Sequence, residues 1–301
     1  MTLTNNRSAP QQSAPKGVAL VMGAVILFAL SDVTTKHLTT LYAVPLVIAG
    51  RYLVNLFLLL VILVPRYGRA LFQTRRTGLV ILRGLSLALA ALSMGFALRY
   101  MPVGESVAIS YIAPFGVMLL AVPLLGEKAS LAGWICATMG FAGVLLIARP
   151  GSGLAPLGVV FALVNAAASV SYHLLSRVLA RSETTMALLL YTALVGFAVF
   201  GAMLPWSLTG PMPTLPDLGL LLALGGFATC GHFLFTAAYR EAPASMLAPV
   251  NYLHLVWAAI FGWIVFAHVP DALTLFGMAL VALAGVMVAL RTRTPTEEAT
   301  E

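Results

Sequence analysis

Displaced by 141 residues, the sequence lies over itself without a gap: Gly17 meets Gly158, Lys36 meets Arg177, Gly78 meets Gly219, Gly84 meets Gly225, Arg99 meets Arg240, Pro102 meets Pro243 and Tyr111 meets Tyr252. An offset that holds from residue 17 to about 268 is an internal duplication, so the chain must fold as two copies of one unit. The stretch Arg99 to Glu127 reappears most fully, in altered form, in the second copy.

The nature of the unit follows from hydropathy. With 60% hydrophobic and 9% charged residues, and a mean hydropathy of +0.98, a chain of 301 residues has too little polar surface to cover a soluble globule. A helix needs ~20 residues to cross ~30 Å of hydrocarbon. Ten apolar segments meet that length, at about 17–36, 45–64, 79–99, 103–124, 130–149, 155–176, 185–205, 217–239, 244–266 and 272–290, separated by proline- and glycine-bearing connections. The short connections predict that consecutive helices are antiparallel neighbours. Residues 1–16 and 292–301 read as polar tails, 17–150 as the first repeat and 155–291 as the second. The first apolar run reads as an uncleaved helix, with no small-residue cleavage site ahead of its charges.

If the N-terminus is cytoplasmic, twelve Lys and Arg residues at loops and helix ends fall inside, among them Arg66, Arg69, Arg75, Arg76, Lys128 and Arg240, against Lys36, Arg99 and Arg149 outside. That asymmetry puts both termini in the cytoplasm of a bacterial inner membrane and accounts for the net charge of +7 without nucleic acid. Five helices per repeat is an odd number, so the second copy enters the membrane from the opposite side. The expected fold is an all-α integral membrane protein of ten transmembrane helices in two inverted five-helix repeats.

Inverted repeats are the architecture of alternating access, in which two conformations that exchange the roles of the halves open one site to either side. The sequence has no GxxxxGK[ST] loop for a nucleotide. An intramembrane enzyme, such as a transferase acting on lipid-linked substrates, is a further alternative, but the five histidines show neither HxxxH nor HExxH spacing. A channel would need a ring of repeated charges or carbonyls. The two cysteines, Cys136 and Cys230, lie in apolar runs and suggest neither a disulfide nor a metal site. No cofactor or metal is expected; the partners are a small-molecule substrate and the lipid bilayer.

RYLVNLFLLL in the second helix, the Arg99 to Glu127 segment with its APF and LLGEK, and GWICATMGFAGVLLIA at the end of the first half resemble the drug/metabolite transporter superfamily, in its ten-helix form with two EamA repeats. The resemblance spans about residues 17 to 290 and implies export of small metabolites, with bacterial exporters of amino acids, aromatic ones included, as the nearest model. In the second half APF becomes HLV, and GE becomes Ala267 and His268. Proton antiport of other metabolites or lipophilic drugs is the alternative. Small multidrug antiporters of the superfamily depend on a glutamate in the first helix, which here has only Asp32.

Polar residues at helical spacing inside spans select the candidate site. Asn165, Ser169 and Tyr172, with His173 and Ser176, form a stripe on the sixth span; Thr229, His232 and Thr236 form one on the eighth; Asn251, Tyr252, His254 and Trp257 lie near the middle of the ninth, with Tyr111 at the related depth of the fourth. Substrate binding is expected at Tyr111, Asn165, Ser169, Tyr172, His232, Asn251, His254 and Trp257, the last as an aromatic wall. Asp32 and Arg51 read as a structural ion pair. Arg83 reads as snorkelling to the interface and Glu105 as a helix cap, neither with a functional role.

Overall fold

The computed structural model describes residues 14–125, 131–149, 152–180, 182–208, 210–242, 247 and 250–291. Among them are eleven α-helices: α1 Ala14–Leu41, α2 Val44–Tyr67, α3 Thr77–Tyr100, α4 Val103–Ser110, α5 Ala113–Leu125, α6 Leu131–Ile147, α7 Pro156–Leu179, α8 Thr185–Ser207, α9 Leu215–Glu241, α10 Leu253–Phe266 and α11 Ala272–Arg291. Several starts are encoded locally. Proline occupies the first turn of α2, α7 and α9, where its missing N–H costs nothing, and Thr184 and Thr214 cap α8 and α9 by accepting from the backbone of Ala187 and Asp217.

Among the described residues seven helical stretches are long and apolar enough to cross a membrane, and three shorter apolar ones, Gly133–Ile147, Leu253–Phe266 and Ala272–Met287, bring the set to ten. The lipid-facing surface is visible on α2, where Leu53, Phe57 and Val61, four residues apart, are each more than half exposed. Hydrogen bonds between connections sort the loops by side. On one face Tyr42 bonds Asp217, Lys36 bonds the carbonyl of Met101, and Arg149 pairs with Asp271. On the other, the backbone N–H groups of Arg75 and Arg76 donate to Glu183, and Lys16 pairs with Glu241. Every one of these contacts joins connections of the same parity, as two inverted five-helix repeats require.

The repeats are interleaved, which corrects the expectation that consecutive helices are the main neighbours. The most extensive contacts are α1 with α9 and α3 with α7, two interfaces that the repeat shift interconverts. Next come α6 with α11 and α2 with α8, each pairing a helix with its own counterpart, whereas α1 barely touches α2. At the α6–α11 crossing, a Cβ on Gly143 would sit 2.7 Å from the carbonyl oxygen of Gly277, and the reverse holds equally. Absence of side chains at both positions lets these backbones touch, the usual device where hydrocarbon solvent gives no hydrophobic drive to association.

Two spans expected to be continuous are broken. The fourth changes helix at Tyr111 and Ile112, and the ninth at Tyr252. In the first case Pro114 has no N–H for the carbonyl of Ser110, and the chain tightens: Tyr111, Ile112 and Phe115 donate to Ala108, Ile109 and Ile112, three residues back, at 3.1–3.2 Å. Leu255 donates to Tyr252 in the same way at 3.1 Å, without a proline. The two broken points are positional equivalents in the repeat.

Candidate functional site

The breaks meet. The rings of Tyr111 and Tyr252 lie 5.0 Å apart, and the Tyr111 hydroxyl donates to the backbone carbonyl of Asn251 at 3.0 Å while facing Nδ1 of His254 at 3.3 Å. On the other side of that imidazole, Nε2 is 3.0 Å from Oδ2 of Asp32 on α1, and both side chains are largely buried. Asp32 thus pairs with His254 across the repeats and not with Arg51, which corrects the expected ion pair. The reason is packing: α1 turns its polar face toward α10 and α9, and α2 stands against α8 and α9.

Arg51 instead opens onto a central cavity of about 50 Å³, lined also by Tyr52, Asn55, Tyr172, Thr192, Thr229, His232 and Phe233. Arg51 and Asn55 lie one turn apart on the same face of α2. Among the described residues the Arg51 guanidinium has neither a carboxylate within ion-pair distance nor a side-chain hydrogen bond, and its neighbour is the Tyr52 ring, whose centroid lies 5.7 Å from Cζ. The Asn55 amide oxygen and the Tyr52 hydroxyl are buried without partners as well. Room for Tyr52 is made by Gly196, where any side chain would overlap its ring. Phe28 links this cavity to the broken helices: its ring centroid is 5.0 Å from that of His232 and 6.2 Å from that of His254.

Arg83 is buried and not snorkelling. It donates to Ser176 Oγ at 2.7 Å, the Leu188 carbonyl at 3.1 Å, Thr192 Oγ1 at 2.6 Å and the Tyr172 hydroxyl at 2.8 Å, so it ties α3 to α7 and α8 through neutral groups. Glu105 is likewise more than a cap. Its side chain is 3% exposed, its Oε1 lies 2.7 Å from Nε2 of His268, and its Oε2 is unpartnered. Ala267, in the left-handed region at φ 54°, ends α10 and brings His268 back over α4. Lys36 completes this second cluster, donating to the carbonyls of Leu98 and Met101 beside a cavity of about 280 Å³.

Of the residues selected from sequence, Tyr172 and His232 line the central cavity, and Tyr111, His254 and the Asn251 carbonyl form the network at the breaks. Asn165 donates from Nδ2 to the Ala90 carbonyl at 2.8 Å and straps α7 to α3. Trp257 stacks on Phe261 and packs against the cluster of Val21, Val25, Ala238, Ala242 and Leu247, and it is not among the residues that line the cavity. Ser169 is half-buried and absent from the cavity lining, and His173 lines a separate crevice with Pro114 and Arg177. Tyr52, Asn55, Arg83 and Thr192 were missed. The signal for the first two was present, since Arg51, Tyr52 and Asn55 are the polar cluster of an otherwise apolar helix.

The EamA-like transporter family model matches residues 15–149 and again 156–291. The chain is similar to a riboflavin transporter of Brucella anthropi, 31% identical over 87% of this chain and 94% of the relative. It is similar to an S-adenosylmethionine uptake transporter of Rickettsia bellii, 28% identical over 90% and 92%, and to a pseudopaline exporter of Pseudomonas aeruginosa, 27% identical over 89% and 94%. A crystal structure shares the fold with a TM-score of 0.61 at 20% identity, covering 93% of this chain and 99% of its own. The protein is a multi-pass membrane protein of two inverted repeats, and it belongs to the EamA-like transporter family.

Proposed function

We propose that the protein is a secondary transporter that exports amino acids, aromatic ones included, across the bacterial cytoplasmic membrane by alternating access, with both termini in the cytoplasm. One observation carries the reading: Arg51, a donor without an acceptor, and the Asn55 amide oxygen, an acceptor without a donor, share one face of α2 in the central cavity. An α-amino acid presents the complementary carboxylate and ammonium on neighbouring carbons, and the rings of Tyr52, Tyr172 and Phe233 offer a wall for an aromatic side chain. At about 50 Å³ the cavity is far smaller than the ~300–1,000 Å³ of a small-molecule pocket, so the substrate enters when the repeats rock apart.

Flux in liposomes tests this, with phenylalanine, glycine, riboflavin and phenethylamine as probes. Loss of one charge-assisted contact is worth about 1.5–3 kcal/mol, so Arg51→Met is expected to raise the half-saturation concentration for phenylalanine by roughly 10-fold or more and to spare phenethylamine, which has no carboxylate. Phenylalanine flux that is absent, or indifferent to Arg51, sinks the amino-acid reading; saturable riboflavin flux alone would move the substrate toward that of the Brucella relative.

A further inference from the structure

The cavity of about 280 Å³ lies between α1, α4 and α10, on the face of the bundle opposite Lys16 and Glu241. No residue lines both it and the central cavity. Two of its lining side chains, Lys36 and Glu105, carry opposite charges and yet form no ion pair with each other. An ammonium has three N–H donors. Two of those on Lys36 go to the carbonyls of Leu98 and Met101 at 2.8 and 2.7 Å, and the third has no oxygen to accept it among the described residues, with the Phe266 ring centroid 5.4 Å from the nitrogen.

Glu105 has the opposite deficit. Its side chain is 3% exposed, Oε1 shares a hydrogen bond with Nε2 of His268 at 2.7 Å, and Oε2 is buried with no donor. A buried carboxylate oxygen left in that way calls for a donor from outside the chain. A simple cation would meet the Lys36 charge as well as that of Glu105, and a simple anion would meet Glu105. A ligand that carries both charges on neighbouring carbons answers both groups at once.

The geometry points to this cavity as a second binding site for α-amino acids, in which the ammonium donates to Glu105 Oε2 and the carboxylate accepts from Lys36 Nζ. The ligand class is that of the amino-acid reading above, on which this assignment rests. Met101, Val103, Ala259 and Phe266 give the side chain an apolar wall, and a volume just under the ~300–1,000 Å³ of a small-molecule pocket suits the smaller amino acids. His268, 40% exposed, carries the site to the water on that face. The second repeat does not copy it, since Glu105 corresponds to Met246 and His268 to Glu127. The site therefore belongs to one side of the membrane. Under the topology proposed above that side is the periplasm, where an exported amino acid leaves.

Binding here can be read without transport, in the full-length protein in lipid nanodiscs at neutral pH. The His268 ring signal in NMR of histidine-labelled protein, identified by its loss in His268→Asn, should shift on titration with alanine and saturate. Ethylamine lacks the carboxylate and propionate lacks the ammonium, so each is expected to need a concentration roughly 10-fold higher or more. Glu105→Gln and Lys36→Met should raise the alanine requirement to a similar extent, whereas Arg51→Met, which strikes the central cavity, should leave it unchanged. The ligand series uses the wild-type protein and so stands even if a variant fails to fold. A His268 signal that alanine does not move, that ethylamine or propionate moves as readily, or that Arg51→Met silences overturns the site. Phenylalanine flux beside a silent His268 would overturn this site alone. A His268 signal that shifts in a protein without phenylalanine flux would overturn the export reading and leave the site standing.

Discussion

Tyr111 and Tyr252 hold equivalent places in the two repeats, each at the point where a span is broken, yet two residues further on the first is followed by Ala113 and the second by His254. The same inequality runs through the buried polar groups. Asp32 corresponds to His173, Arg51 to Thr192, Arg83 to Leu224 and Glu105 to Met246. Duplication has preserved the breaks in the two spans and has let the chemistry diverge. That division suits alternating access, which asks the halves to exchange conformations but does not ask them to carry the same charges. Buried ions then bond across the repeat boundary, as Asp32 does to His254 and Arg83 to α7 and α8.

The strongest way to break the comparison is to force the repeats to be alike. Gly285 corresponds to Val144, a buried core residue of the first repeat, and a Cβ at Gly285 would overlap the Tyr252 ring. An aromatic ring at 8% exposure has no free end to swing away. Gly285→Ala is expected to destabilise by about 3 kcal/mol, or to displace Tyr252 from Tyr111. Thermal unfolding in detergent checks it, and a variant as stable as wild type would mean that the breaks are not held by this contact.

Trp257 sharpens the comparison at lower cost, because its counterpart is Gly116. It is half-buried against Val21, Val25 and Leu247. Trp257→Ala is therefore expected to lower stability by about 2 kcal/mol, less than for a fully buried tryptophan, without changing which amino acids compete for transport. A change in competition, measured per folded protein, would return Trp257 to the substrate wall that its sequence position suggested.

The duplication and the ten spans were legible because offset and hydropathy are properties of single residues and their spacing. Partners across the bundle were not. Asp32 and Arg51 sit at matching depth on consecutive helices, and only the interleaving of the repeats, which sends α1 to α9 and α10, separates them. Arg83 looked free to snorkel, since nothing local reveals that Ser176, Thr192 and Tyr172 converge on it from two other helices. The break at Tyr111 had its proline in view. The break at Tyr252 had none, and its tyrosine is informative mainly through the repeat.

The smallest effect belongs to a cross-repeat contact in water. Asp271 caps α11, and the Thr274 backbone N–H at 2.7 Å, the Thr274 hydroxyl and the Arg149 guanidinium at 2.6 Å hold its carboxyl below the usual carboxylate range. Its repeat counterpart is Ser130 and that of Arg149 is Leu290, so this pair too exists once. Half exposed, it is an ion pair of the weak class, and Asp271→Asn keeps an oxygen for the cap, so the melting temperature at neutral pH should hardly move. The sign of its pH dependence is fixed. A depressed folded-state pKa stabilises fully above the unfolded value of about 3.9 and is lost as pH falls through the lower folded one. The difference between wild type and Asp271→Asn should therefore be constant from pH 7 to about 5 and shrink below about 4. A difference that grows on acidification would show that Asp271 stabilises the fold as the acid, and that its contacts with Thr274 and Arg149 do not favour the carboxylate.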